Sequence, residues 1–279
     1  MAFKRLIVSI IIVIAVANST ILLSDPFHDP STALWILNIS AAVASILGAV
    51  AIFRFGIHDL HGKSILCLTI GLFFWFAADL TLLYSHYTHG EEERIVSSAD
   101  GLWFMGYVFL ALHLFFVLRS LRNEGRSFTS STGTQTRIVV ILMIVIVTTF
   151  ALFNIISFSL AESPASSKEP VTFQAIIVTI AYPVLDLVLI LPSFLILITL
   201  RKHIRHYVPW LLSSISLLLS AIADDGYVLD FVNGHFRHLV FWDLFYVTDF
   251  IIMAGALFWY NRYYMISDKK STRTVEVEP

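Results

Sequence analysis

Seven aspartates stand in stretches of sequence that otherwise hold almost no charge. They are Asp79 in WFAADLTLLY, Asp100 at the head of DGLWFMGYVF, Asp186 in AYPVLDLVLIL, Asp224 and Asp225 in AIADDGYVLDF, and Asp243 and Asp249 in DLFYVTDF. A carboxylate at bilayer depth costs on the order of 2.5–3.5 kcal/mol by insertion scales, so a group kept there needs something that offsets the cost. No lysine or arginine falls at comparable depth. The carboxyls are therefore expected to be protonated, hydrogen-bonded to Tyr, Ser or Thr, or turned toward water. Tyr107, Tyr182, Tyr227 and Tyr246 are the phenols at hand.

Three chemistries fit these residue types. Asp79, Asp186 and Asp224, with Tyr107, Tyr182 and Asp249, would line an outward-facing polar pocket for a ligand. Asp79 and Asp224 would act as an acid/base pair in an intramembrane lipid hydrolase, which requires the two carboxyls near each other. Asp186 and Asp249 would form the relay of a proton- or cation-coupled transporter. Each aspartate also has a plainer reading. Asp100 and Asp243 stand where helices begin and would cap free backbone N–H groups. Asp79 and Asp224 would bond a neighbouring helix. Asp225 points about 100° away from Asp224 on a helix, so the two cannot share one partner. Asp186 lies between Pro183 and Pro192, and prolines kink a spanning helix and free its carbonyls, which suits a polar pocket at the midplane.

Histidines offer less. His86/His89 and His235/His238 are His-x-x-His pairs on outer loops, and they are the candidates for an extracytoplasmic metal ion or a pH sensor. Arg237 inside the second pair opposes a cation. His113 has no ligand companion in sequence and reads as a core histidine bonded to another helix. No cofactor is expected: the last helix has no lysine for a retinal Schiff base, and there is no phosphate-binding glycine loop, zincin motif or nucleophile elbow.

The elements that must hold these residues are membrane helices. The chain of 279 residues is 57% hydrophobic and 14% charged, against roughly 25% charged in soluble domains. Apolar windows long enough to span fall at about 5–24, 33–55, 64–85, 99–118, 137–159, 171–200, 208–231 and 239–260. With these eight spans, 15 of the 18 lysines and arginines lie on one side, and Arg94, Lys168 and Arg237 on the other. The positive-inside rule then places both termini in the cytoplasm. Ala15–Ala17 after a basic start resembles a signal-peptide cleavage site, but the apolar run continues through ILLS and favours an uncleaved first helix. The single cysteine, Cys67, allows no internal disulfide. Trp35, Trp103 and Trp242 read as an outer aromatic belt, and Trp210 and Trp259 as an inner one. Ala41, Ala44, Ser45 and Gly48 read as a small-residue packing face.

The halves of the chain look related. WFAADLTLLY (75–84) answers LSAIADDGYVL (219–229), and an arginine follows each of Asp100 and Asp243 by 19 residues. The expected fold is thus all-α: one transmembrane domain, 1–262, of eight helices in two related four-helix halves, about 1–125 and 135–262. A short cytoplasmic tail, 263–279, follows.

SSADGLWFMGYVFLALHLFFVLRSLR, AYPVLDLVLIL and LLLSAIADDGYVLDFVNG…FWDLFYVTDF together resemble the multi-span N-terminal membrane modules of bacterial GGDEF-type diguanylate cyclases and some histidine kinases. ADLTLL with FLALH is more faintly similar to the lysoplasmalogenase-like eight-span hydrolases. Ala78 stands where that family has glycine, and the spacing to the histidine differs. No GGDEF, EAL or kinase domain follows in this sequence. The resemblance therefore implies a stand-alone, sensor-like module of a prokaryotic plasma membrane. Its expected contacts are the lipid bilayer and a cytoplasmic signalling partner or a second copy of itself, with no nucleic acid.

Overall fold

The computed structural model describes residues 2–24, 30–89, 97–124, 173–200, 207–232 and 239–275. Among them are seven α-helices and no strand: α1 (Ala2–Leu23), α2 (Ser31–Phe55), α3 (Leu60–His89), α4 (Asp100–Asn123), α5 (Phe173–Leu200), α6 (Val208–Val232) and α7 (Leu239–Val275). All seven are long and apolar enough to cross a membrane, so the protein is a multi-pass membrane protein. This corrects the expected count of eight. An apolar window is a signal of composition; seven windows became helices, and the one at 137–159 lies outside the described residues. The division into two four-helix halves falls with the count. α7 stays helical through Val275, beyond its apolar segment Val240–Tyr263.

The local signals are ordinary ones. Gly56 ends α2 with φ +76, a conformation that costs glycine little and other residues more. Asp59 then accepts a bond from the Gly62 N–H at 2.7 Å, which caps the start of α3. Pro183 and Pro192 sit inside α5, as their apolar context required.

Packing follows a closed circuit. α2 packs on α3, α3 on α4, α4 on α5, α5 on α6, α6 on α7, and α7 returns to α2. α1 lies outside this ring, mainly against α7; Val8, Ile11, Ile12, Val13 and Val16 are exposed on it, the face lipid would cover. Contacts fix the directions. Asn18 bonds Thr248 at 3.1 Å and Phe3 meets Trp259 edge-on, so α1 and α7 are antiparallel. Arg54 donates to the Asn261 carbonyl at 2.8 Å, so α2 and α7 are parallel. Tyr182 reaches Asp100 and, further along both helices, Asp186 reaches Tyr107, so α4 and α5 are parallel too. One end of the bundle consequently gathers Lys4, Arg5, Arg54, Lys63, Arg119, Arg122 and Arg262. It is called the basic end below.

α3 and α4 cross at Gly71 and Gly106. A Cβ on Gly106 would lie 2.2 Å from the Trp75 ring and 3.2 Å from the Gly71 carbonyl oxygen. The crossing needs both small residues, and it brings Tyr107 against the edge of Trp75. The expected small face of α2 is likewise buried at Ala41, Ala44, Ser45 and Gly48.

Candidate functional site

The ring of helices encloses the polar groups. Asp79, Asp186 and Asp249 are 5%, 0% and 1% exposed. Asp186, Asp79 and Asp249 lie in a buried, hydrogen-bonded interior, while Asp224, Tyr182 and Tyr246 beside them are half-buried.

Its centre is the Tyr107 hydroxyl on α4. That hydroxyl lies 2.5 Å from Asp186 Oδ1 on α5 and in hydrogen-bond contact with Asp224 Oδ2 on α6. Tyr246 on α7 donates to Asp224 Oδ1 at 2.7 Å. Four helices thus converge on two carboxyls. A phenol has one proton, so both Tyr107 contacts are hydrogen bonds only if a second proton is held among the three groups.

The remaining predicted residues surround this centre. Asp79 Oδ1 accepts from the Trp103 indole at 3.2 Å, and Asp79 lies within electrostatic reach of Asp249 and Asp224. Asp249 Oδ1 accepts from the Ser216 hydroxyl at 2.7 Å. Tyr182 donates to Asp100 Oδ1 at 2.5 Å, and its ring lies 6.2 Å from that of Tyr107. The structure therefore brings Asp186, Asp224 and Tyr107 into direct contact. Asp79, Asp249 and Tyr182 join through neighbours. Second oxygens of Asp79, Asp186 and Asp249, and Oδ1 of Asp225, have no hydrogen-bond partner.

Two capping expectations need correction. Asp100 is the first residue inside α4, after Ala99. Its Oδ2 accepts from the Ser97 N–H at 2.6 Å, so it secures the preceding turn and Tyr182 instead of capping the helix. Asp243 lies in the second turn of α7, too far in to cap it. The tryptophans differ as well. Trp103 and Trp242 aim their indole N–H groups at Asp79 and at Asp230, the latter at 2.8 Å. Trp210 is 2% exposed and stacks on His61, inside the bundle and away from lipid headgroups.

His113 is a core histidine bonded across helices, as its isolation in sequence implied. It is fully buried, with Nδ1 2.8 Å from Ser64 Oγ on α3 and Nε2 3.4 Å from Ser213 Oγ on α6. The metal candidates fare differently. His235 and His238 lie outside the described residues, as does the side chain of His89, while His86 packs against Tyr87. Among the described residues no group of three His, Cys, Asp or Glu side chains is poised for a metal ion.

The serines of α6 went unread in the sequence. Ser213, Ser216 and Ser220 are buried and, with Asp224, recur at intervals of three, four and four residues. That spacing sets them on one helical face, and it was the signal available. No family model, curated protein or solved structure matches the chain.

Proposed function

We propose that the protein is a proton-coupled transporter, with Asp186, Asp224 and Tyr107 as its proton-binding centre. The observation that carries this reading is the Tyr107 hydroxyl held between two carboxyls. Such a group of acceptors can hold or release a proton with little movement of heavy atoms, and intramembrane carboxyls of this kind serve as relays in pumps and transporters. Burial of Asp186 and Tyr107 also fits it, because a proton needs no wide cavity to reach a buried carboxyl. The basic end faces the cytoplasm of a prokaryotic plasma membrane in this reading, following the lysine and arginine distribution.

The test is reconstitution in liposomes that carry a pH-sensitive dye, under a potassium diffusion potential. Proton entry would be followed with and without gradients of sodium, potassium and tetraethylammonium. Wild-type protein is expected to move protons under at least one gradient. Asp186→Asn and Asp224→Asn are expected to lower the rate by about 100-fold. Absence of flux under every gradient, or full flux in Asp186→Asn, overturns the proposal. Breakdown of bilayer lipid that is lost in Asp224→Asn, without proton flux, would assign the same pair to hydrolysis, with Asp186 in the place expected for Asp79.

A further inference from the structure

Below the carboxyl centre, toward the basic end, a second set of polar groups continues without a cation among them. Asp249 is held by Ser216, Ser213 lies three residues further along α6, and His113 lies between Ser213 and Ser64. One turn beyond Ser64 on α3 is His61. Ser120 Oγ lies 3.1 Å from its Nε2, Glu124 Oε1 lies 3.5 Å from the same nitrogen, and Tyr207 donates to Glu124 Oε2 at 2.5 Å. Glu124 and Lys63 are exposed at that end.

Each of these contacts could be structural by itself. Three features set them apart together. The hydroxyl face of α6 runs about 16 Å from Ser213 to Asp224 at 1.5 Å per residue, turned inward along its whole length. His113 is a fully buried imidazole whose Nδ1 faces the Ser64 hydroxyl at 2.8 Å and the Ser64 carbonyl oxygen at 3.1 Å and whose Nε2 faces the Ser213 hydroxyl at 3.4 Å, and imidazole is the side chain that accepts at one nitrogen while releasing at the other. Asp249, 1% exposed, retains a second oxygen with no hydrogen-bond partner. A packing bond asks for none of the three.

We infer that His113, Ser213, Ser216 and Asp249 form the path by which protons pass between the basic end and the Asp186–Asp224 centre. The inference rests on the proton-binding role proposed above and adds its route and side of entry. With His113 in the tautomer that carries its proton on Nε2, a proton arriving through Ser64 bonds to Nδ1, the Nε2 proton leaves to Ser213 Oγ, and the new Nδ1–H is left donating to the Ser64 carbonyl oxygen. Ser213 gives up its own hydroxyl proton. A water molecule carries it across the step to Ser216, where neighbours three residues apart on a helix stand about 5–6 Å apart. Ser216 passes its proton to Asp249, and Asp249 releases one proton through a second water molecule to a carboxyl oxygen of Asp224 or Asp186. Only O–H and N–H bonds are made and broken, one proton enters for each stored, and rotation of the hydroxyls with a tautomer change at His113 resets the path.

The groups facing this path are Asp249 and Asp224, with His61 and Glu124 at its mouth. A route through them predicts how fast the centre exchanges with solvent, whether or not anything is transported. Infrared spectroscopy of the protein in lipid nanodiscs would follow deuteration of the buried carboxyl C=O bands after transfer to heavy water. His113→Asn keeps a polar side chain but cannot relay, and Ser213→Ala removes one hydroxyl. Each is expected to slow exchange of the Asp186–Asp224 bands by about tenfold, the effect of a barrier raised by roughly 1.4 kcal/mol. Ser213→Thr restores the hydroxyl and is expected to restore the wild-type rate. Unchanged exchange in His113→Asn, or a Ser213→Thr rate as slow as that of Ser213→Ala, overturns the route. Slowed exchange in a protein that moves no protons in liposomes would retain the route and reject the transport reading.

Discussion

At the residue scale the decisive atom is the Tyr107 hydroxyl. Tyr107→Phe keeps the ring, its edge contact with Trp75 and nearly all of its volume, and removes the one group that both carboxyls contact. Loss of a buried partner costs about 1–3 kcal/mol, so a fall in the unfolding temperature in detergent is expected together with loss of proton flux. Tyr246→Phe provides the comparison. It removes a bond to Asp224 alone and is expected to lower stability while leaving measurable flux. Equal flux in Tyr107→Phe and wild type would remove Tyr107 from the centre. The aspartates and phenols were legible in the sequence because charge in an apolar run is conspicuous. Which phenol met which carboxyl was not, since the bond from Tyr107 to Asp224 joins residues 117 positions apart. Trp103 was read as a belt residue because its indole gives the same sequence signal whether its N–H meets a headgroup or Asp79.

At the scale of elements, α3/α4 and α6/α7 are built alike. In each pair the carboxyl on the first helix accepts from the residue three positions after the aspartate near the start of the second. Trp103 donates to Asp79, and Tyr246 donates to Asp224. The close crossing of α3 and α4 was not visible in the sequence, because Gly71 and Gly106 are ordinary glycines until their backbones are seen to meet. Gly106→Ala places a methyl group into the Trp75 ring. Overpacking of this kind costs about 1–3 kcal/mol. The variant is expected to unfold at lower temperature and, by shifting the turn that carries Tyr107, to lower flux further than its stability loss alone would. Gly101→Ala, where a Cβ meets nothing within 4 Å, is the control and is expected to match wild type. A Gly106→Ala protein as stable as that control would mean that the crossing has room the geometry denies.

For the whole molecule the legible property was charge asymmetry, and the illegible one was closure. Lysine and arginine segregate because headgroup and potential act on each loop locally, so a linear reading recovers them. Ring order depends on which faces meet, and α2 against α7 is a pairing of distant segments that no window reveals. Sidedness can be checked directly. Cys67 is buried, and in a Cys67→Ala background Thr88→Cys and Lys63→Cys place single thiols at opposite ends of the bundle. A membrane-impermeant maleimide added to intact cells is expected to label Thr88→Cys, and to label Lys63→Cys only after the membrane is opened. The reverse pattern would invert the orientation and move the mouth at His61 and Glu124 to the outside.

Closure of the ring by α7 has a consequence for biogenesis. α7 supplies Tyr246 and Asp249 to the interior and, through Arg54 and Asn261, locks against α2. A nascent chain inserted as far as α6 has the carboxyls of Asp79, Asp186 and Asp224 in the bilayer but not the groups that complete their network. Synthesis from the N-terminus therefore delays assembly of the polar interior until α7 is inserted.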